Sequence, residues 1–272
     1  MGLRVNTNVA ALTSQRNLGA VTSRLQGNFA RLSSGLRIAT AADDAAGLGI
    51  SERMRGQIRS LTVASRNAQD GVSMAQTAEG ALQEVSNNLT RMRELAVQAS
   101  NGTLTTADRA TLDTEFQALV TEIDRVAGQT TFNGVNLLDG STTSMNIQVG
   151  IDAGQTIALS LSDTTATGLS LGSLSVTSAA NASTALAAID TAVDSVTTTR
   201  GTLGAQMNRM TSAISSILNT RDNLSAAESR IRDVDVATET SDLTRNSILQ
   251  QAAISVLSQA NVQPQLALRL LA

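Results

Sequence analysis

The chain has 272 residues, a net charge of −3, and no Cys, His, Trp, Tyr or Lys. Without thiol, imidazole or amine it can build no disulfide, Ser-His-Asp triad, zinc finger, HExxH site, Schiff-base lysine or P-loop, so no cofactor or metal is expected. Aromatic residues are 1% and the charge balance is acidic, which removes both the stacking platform and the basic footprint of a nucleic-acid binder.

The length allows one to two domains with a real core. No apolar run reaches the roughly 18–20 residues that cross a bilayer, so no membrane insertion is expected. The start, MGLRVNTNVAALTSQ, lacks the apolar core of a cleavable signal. A cytosolic protein is the default, unless export uses another route.

The single proline, Pro264, leaves the chain free to form very long helices. Leu18, Val21, Leu25, Phe29, Leu32 and Leu36 recur at helical spacing and mark one face of a first helix. Gly35 and the small residues after it predict a break, and Asp43 and Asp44 stand where an N-cap belongs. The spacing then predicts a helix over 44–99, with a heptad seam at Ala75, Ala78, Leu82, Val85, Leu89, Met92, Ala96 and Ala99. Thr105 and Asp108 resemble a capping box that opens a helix over 106–127, with Gly128 as its stop.

Residues 129–180 turn to Ser, Thr, Gly and Asn. Met145, Ile147, Val149 and Ile151 alternate with polar residues, as do Ile157, Leu159 and Leu161, around a turn at 152–154; this predicts a β-hairpin. A second seam runs from Leu186 to Ile231 in strict 3,4 steps, interrupted by Arg200, Arg221 and Glu228. The two arginines either fix register or snorkel to a surface. Asp233 and Asp235 read as caps between helices. A last helix carries Ile248, Leu249, Ala252, Ala253, Val256, Leu257 and Ala260, and Pro264 is expected to end it.

A helix over 44–99 is about 84 Å long, against roughly 50 Å for a compact chain of this size. The expected fold is therefore mainly α: an elongated rod of long antiparallel coiled-coil helices with a small β-hairpin region, the N- and C-termini paired at one end. Burial of one stripe on each terminal helix falls short of the entropy of ordering it, which points to cover by neighbouring copies. The alternative is an intramolecular bundle that already covers these stripes.

Three stretches carry a family resemblance. RLSSGLRIATAADDAAGLGISERMRGQIRSL and its continuation to residue 103 resemble the amino-terminal region of bacterial flagellins. EIDRVAGQTTFNGVNLLDG at 122–140 is similar to the next flagellin block, and ESRIRDVDVATETSDLTRNSILQQAAISVLSQANVQPQ at 228–265 to the carboxy-terminal one. Residues 141–185 carry little of this signal.

The resemblance implies a structural subunit, not an enzyme, that self-assembles into the helical filament of the bacterial flagellum for motility. It implies export in an unfolded state by a type III pathway, hence a secreted, extracellular location without a cleaved signal. Implied partners are further copies of the chain, a flagellar export chaperone, the filament cap and hook–filament junction proteins. Implied domains are an inner-tube helical domain from 1–42 and 232–272, and a rod domain over 43–231. Outer projecting domains are not expected, because only a short Ser/Thr/Gly segment runs from Leu161 to Ser183. Inner-tube contacts are expected from Leu18, Val21, Leu25, Phe29 and Leu32 against Ile248, Leu249, Ala252, Val256 and Leu257. Residues 91–98 resemble the patch recognised by the vertebrate Toll-like receptor for flagellin, with Arg91, Leu95 and Glu115 in the positions that matter; Thr90 departs from the Gln often found there. Thr164, Thr165 and Thr167 are candidate O-glycosylation sites, if their segment faces outward. The competing readings are a hook–filament junction protein, which forms only a short ring, and a monomeric surface-binding or immune-ligand module.

Overall fold

The computed structural model describes residues 7–271, with side chains described over 7–262. The first residues of the stretch inspected for a signal, 1–6, and the side chains after 262 lie outside what is described. The chain is mainly α. Its helices are α1 (Val9–Ser34), α2 (Ala45–Ala99), α3 (Thr106–Gln129), α4 (Ala179–Arg232) and α5 (Val236–Leu271). Its short strands are β1 (Thr131–Phe132), β2 (Val135–Asn136), β3 (Ser144–Gln148) and β4 (Thr156–Ser160). β1 pairs with β2, and β3 with β4, both antiparallel.

Two compact units are formed, Met1–Gly56 with Asn223–Ala272, and Gln57–Asp222. This division differs from the expected boundaries at 42 and 232, because it falls inside α2 and α4. The first turns of α2 and the last turns of α4 are bound into the first unit. Arg232 pairs with Glu52 at 2.7 Å. The Arg37 amide donates to the Arg232 carbonyl at 2.7 Å, and the Val234 amide to Gly35 at 3.0 Å. Gly35, at φ 71°, makes the left-handed turn that ends α1 and starts this connection.

The second unit holds the main core. All eight predicted seam residues of α2, from Ala75 to Ala99, are buried. On α4 the predicted seam is buried at every seventh position, Ile189, Val196, Leu203, Met210 and Ile217. Ala182, Ala185 and Ala192 are buried as well, so the first turns of α4 are covered on a second side. Arg93 meets Asp190 at 2.7 Å and Arg200 meets Glu79 at 2.8 Å, which sets these parts of α2 and α4 antiparallel. α3 adds Phe116, Val120, Ile123 and Ala127. The Thr105–Asp108 capping box opens it as expected.

The hairpin β3–β4 places Met145 opposite Leu159 and Ile147 opposite Ile157, and this apolar face packs on the core. Gly71 of α2 lies beneath it. A Cβ there would stand 2.7 Å from the Met210 sulfur and 3.1 Å from Ile147 Cγ1, which explains a glycine inside a helix that it weakens.

The Ser/Thr/Gly-rich segment 161–178 is packed rather than open. Leu161, Thr164, Ala166, Leu169, Leu171 and Val176 are buried. Polar side chains of α3 hold its backbone. Asp124 accepts from the Ala166 amide at 2.7 Å, Gln117 donates to the Leu174 carbonyl at 2.8 Å, and Asp113 accepts from the Val176 amide at 2.7 Å.

Pro264 does not end the last helix, which continues to Leu271. A proline removes one amide donor and strains the preceding turn, but a helix survives where the freed carbonyl finds another donor.

Gly71→Val should overpack the contact with Met210 and Ile147 and destabilise the second unit by about 1–3 kcal/mol. A lowered midpoint in denaturant unfolding, with an unchanged slope, is the expected reading.

Candidate functional site

In the first unit α1 and α5 pack as an antiparallel pair. Asn8 reaches Ala260 at 2.7 Å, and Asn28 reaches Glu239 at 2.7 Å. One row of covered positions on α1 is Ala11, Ser14, Leu18, Val21, Leu25, Asn28 and Leu32, flanked by Thr22, Gly27 and Arg31. The matching row on α5 is Glu239, Leu243, Asn246, Gln250, Ala253, Leu257 and Ala260, flanked by Asp242 and Ser247. Both rows step by threes and fours without error, which is a heptad seam.

This seam divides the residues expected at the inner tube. Leu25 is buried, and Leu18, Val21, Leu32 and Leu257 are half-buried, so these five serve the pairing within one chain. Ala252 is exposed, as are Phe29 at 59%, Ile248 at 60%, Leu249 at 43% and Val256 at 57%. The expected face of α1 is thus corrected at one point. Asn28, not Phe29, continues the buried stripe after Leu25, because the step there is three residues rather than four. Apolarity alone picked the wrong neighbour.

Val9, Leu12, Val236, Ile254 and Val262 are also exposed. Large apolar side chains therefore remain outside the seam on both helices. This much exposed apolar surface on two paired helices makes them the candidate interaction site.

Asp235 is the N-terminal cap of α5, accepting from the Ala237 and Thr238 amides at 2.9 and 3.2 Å. The Thr238 amide, then that of Ala237, holds its carboxyl below the usual carboxylate range. Asp44 caps α2 through the Gly47 amide at 2.9 Å. Asp43 instead folds back onto Thr40 and Ala39, whose donors lower its pKa.

The other expected site residues lie in the second unit. Arg91 is paired with Glu115 at 2.8 Å and with Glu94 at 2.9 Å, and all three are exposed. The structure brings Arg91 and Glu115 together, while Leu95 is buried beneath them. Arg200 joins Glu79 in a half-buried pair, which supports its register role. Arg221 pairs with the adjacent Asp222 on its own helix. The outward placement of three threonines is corrected. Thr164 is 1% exposed and its hydroxyl donates to the Leu138 carbonyl; Thr165 is half-buried and donates to Asp163; only Thr167 is exposed.

No group of three or more potential metal ligands gathers among the described residues. An open groove in the second unit is lined by Arg59, Ser60, Asn67 and Asp152 among others.

The chain matches the family models of the bacterial flagellin N-terminal helical region over residues 5–143 and the C-terminal helical region over 186–271. It is 49% identical to a flagellin of Halalkalibacterium halodurans over 98% of this chain and 99% of that one. The chain belongs to the bacterial flagellin family. A Bacillus subtilis flagellin is 45% identical over 99% of this chain and 100% of that one. The crystal structure of Bacillus cereus flagellin covers 60% of this chain and 94% of that one, at 37% identity and a TM-score of 0.52. The two family regions leave 144–185 between them, which contains the β3–β4 hairpin and the strap held by α3.

The Asp235 cap has a definite pH signature. Its folded-state pKa lies below the unfolded value of about 3.9, so its contribution is complete above that value. It is lost as pH falls through the folded value. Asp235→Asn keeps a cap without the charge. The variant should flatten the acid limb of a pH titration of helix content relative to the parent chain.

Proposed function

We propose that this structural subunit of the flagellar filament joins its copies through the faces of α1 and α5 that the seam leaves open. The observation that carries the reading is the exposure of Phe29, Ile248, Leu249 and Val256 on two helices already paired along their other side. Burial of one such side chain contributes about 1.5–3 kcal/mol, so a row of them repeated between copies sums to a strong contact. Each copy meets the next through a different part of its surface, and such head-to-tail contacts grow helical polymers when they do not close.

Location and helpers follow the same logic. The filament lies outside the cell, and a chain with these open stripes needs cover before it assembles; an export chaperone supplies it, with delivery unfolded by a type III pathway. The hook–filament junction is the surface against which the first copies pack, and the filament cap the one against which the newest pack. Identity to full-length flagellins favours the filament subunit over a junction ring or a monomeric binding module.

We also assign the Arg91–Glu115 pair to recognition by the vertebrate Toll-like receptor for flagellin. The two charges share one exposed surface with Glu94, and Leu95 supports it from below. Thr167 alone of the three threonines presents a hydroxyl for O-glycosylation.

Leu249→Asp should leave helix content and the α1–α5 pairing intact while abolishing growth from filament seeds, read by sedimentation and electron microscopy. Leu25→Asp should disrupt the pairing itself and lower helix content as well. Growth of Leu249→Asp filaments at the parent rate would remove the proposed contact. In a reporter-cell assay, depolymerised protein should activate the receptor. Arg91→Ala should weaken activation roughly tenfold, the equivalent of about 1.4 kcal/mol.

A further inference from the structure

The seam between α1 and α5 contains polar residues where an ordinary coiled coil has aliphatic ones. Asn28 is 2% exposed, Glu239 8% and Asn246 9%. Their hydrogen bonds form one chain. Asn246 donates to the Asn28 carbonyl oxygen at 3.0 Å, and the Asn28 amide donates to Glu239 at 2.7 Å. The Arg31 guanidinium, half-exposed at the seam's edge, closes the chain on the same Glu239 oxygen at 2.9 Å.

A second contact is fixed by the proline. Pro264 has no amide hydrogen, so the carbonyl four residues before it, Ala260, loses its helical donor. That carbonyl accepts instead from the Asn8 amide at 2.7 Å. The same Asn8 caps α1 with its other end, its carbonyl oxygen accepting from the Ala11 amide at 3.1 Å. The chain has one proline, so α5 offers one interior carbonyl freed in this way.

We infer that these asparagines are a register lock: they fix how α1 and α5 slide against each other, and so where the outward apolar side chains stand for neighbouring copies. A slip of one heptad puts Asn246 in the place of Glu239 and Ala253 in the place of Asn246 beside Asn28, so Asn28 and Glu239 lose their buried hydrogen bond and Asn28 loses one of its two partners. The same slip carries Asn8 away from Ala260 to carbonyls that already have helical donors. An aliphatic seam has no such penalty and tolerates alternative registers. Buried polar positions of this kind cost stability and confer uniqueness. The inference rests on the proposed assembly through α1 and α5.

Two sets of variants test it in seeded filament growth, with the parent chain alongside. Asn28→Asp sets two carboxylates against each other and should slow growth at least tenfold. Adding Glu239→Gln restores a donor opposite the new acceptor and should recover growth to within about twofold. Asn28→Leu with Asn246→Leu removes both amides and leaves Glu239 to Arg31. Its filaments should resist heat at least as well as the parent's but lose their single helical form in electron micrographs. Equal growth of Asn28→Asp and the parent, or no rescue by Glu239→Gln, would overturn the lock. So would leucine-variant filaments as uniform as the parent's. If the parent chain itself does not grow, the assembly reading fails rather than the lock.

Discussion

A helix that pairs with one neighbour along a heptad seam commits only part of its circumference. In the first unit α1 and α5 make that commitment to each other, and much of what they commit is polar or small: Ser14, Asn28, Glu239, Asn246, Gln250 and Ala253. Leu18, Val21, Leu25, Leu32, Leu243 and Leu257 share the seam with them, but other large apolar side chains stand outside it, with Phe29 and Ile248 about three-fifths exposed. The usual division of a soluble helix pair, with apolar residues inside and polar residues outside, is partly reversed. Hydrogen bonds join the leucines of the seam in fixing the contact within one copy. The proposed contacts between copies draw on the hydrophobic effect, which is strong but undirected.

The second unit follows the opposite rule and is complete in itself. Its seams on α2 and α4 bury Leu, Val, Ile, Met and Ala, α3 adds Phe116, and the hairpin packs over them. Its cross-helix ion pairs, Arg93–Asp190 and Arg200–Glu79, lie on or beside that core rather than in place of it. One chain therefore carries two strategies. A saturated core gives a stable body, and the helix pair keeps apolar side chains exposed, the surface proposed to join copies.

The long helices were legible because heptads are redundant. Ala75 to Ala99 repeat the same step often enough that no single residue decides the reading, and α2, α3 and α4 begin and end close to where their caps and periods put them. The β3–β4 hairpin was legible from alternation around the Asp152–Gly154 turn. Two of the differences share one cause, which is that polar residues read as solvent-facing. Asn28 was passed over for Phe29, although both lie within a helical step of Leu25. The packing of residues 161–178 is not legible, because nothing in their Ser/Thr/Gly-rich composition reveals that Asp113, Gln117 and Asp124 hold their backbone. The β1–β2 hairpin had a signal that could have been used: Asn133-Gly134, both at positive φ, is the favoured two-residue turn. Pro264 read as a stop because sequence shows the lost donor and not the replacement from Asn8.

The strap also separates what is anchored from what is free. Three α3 side chains hold it at residues 166, 174 and 176, and between the first two the chain passes through an exposed turn at Gly172 and Ser173. A peptide grafted between those two residues would project into solvent with every anchor kept. One placed at Thr164, only a few residues upstream, would have to be pushed through the core. A designer who wants this chain to carry a foreign epitope has an address for it.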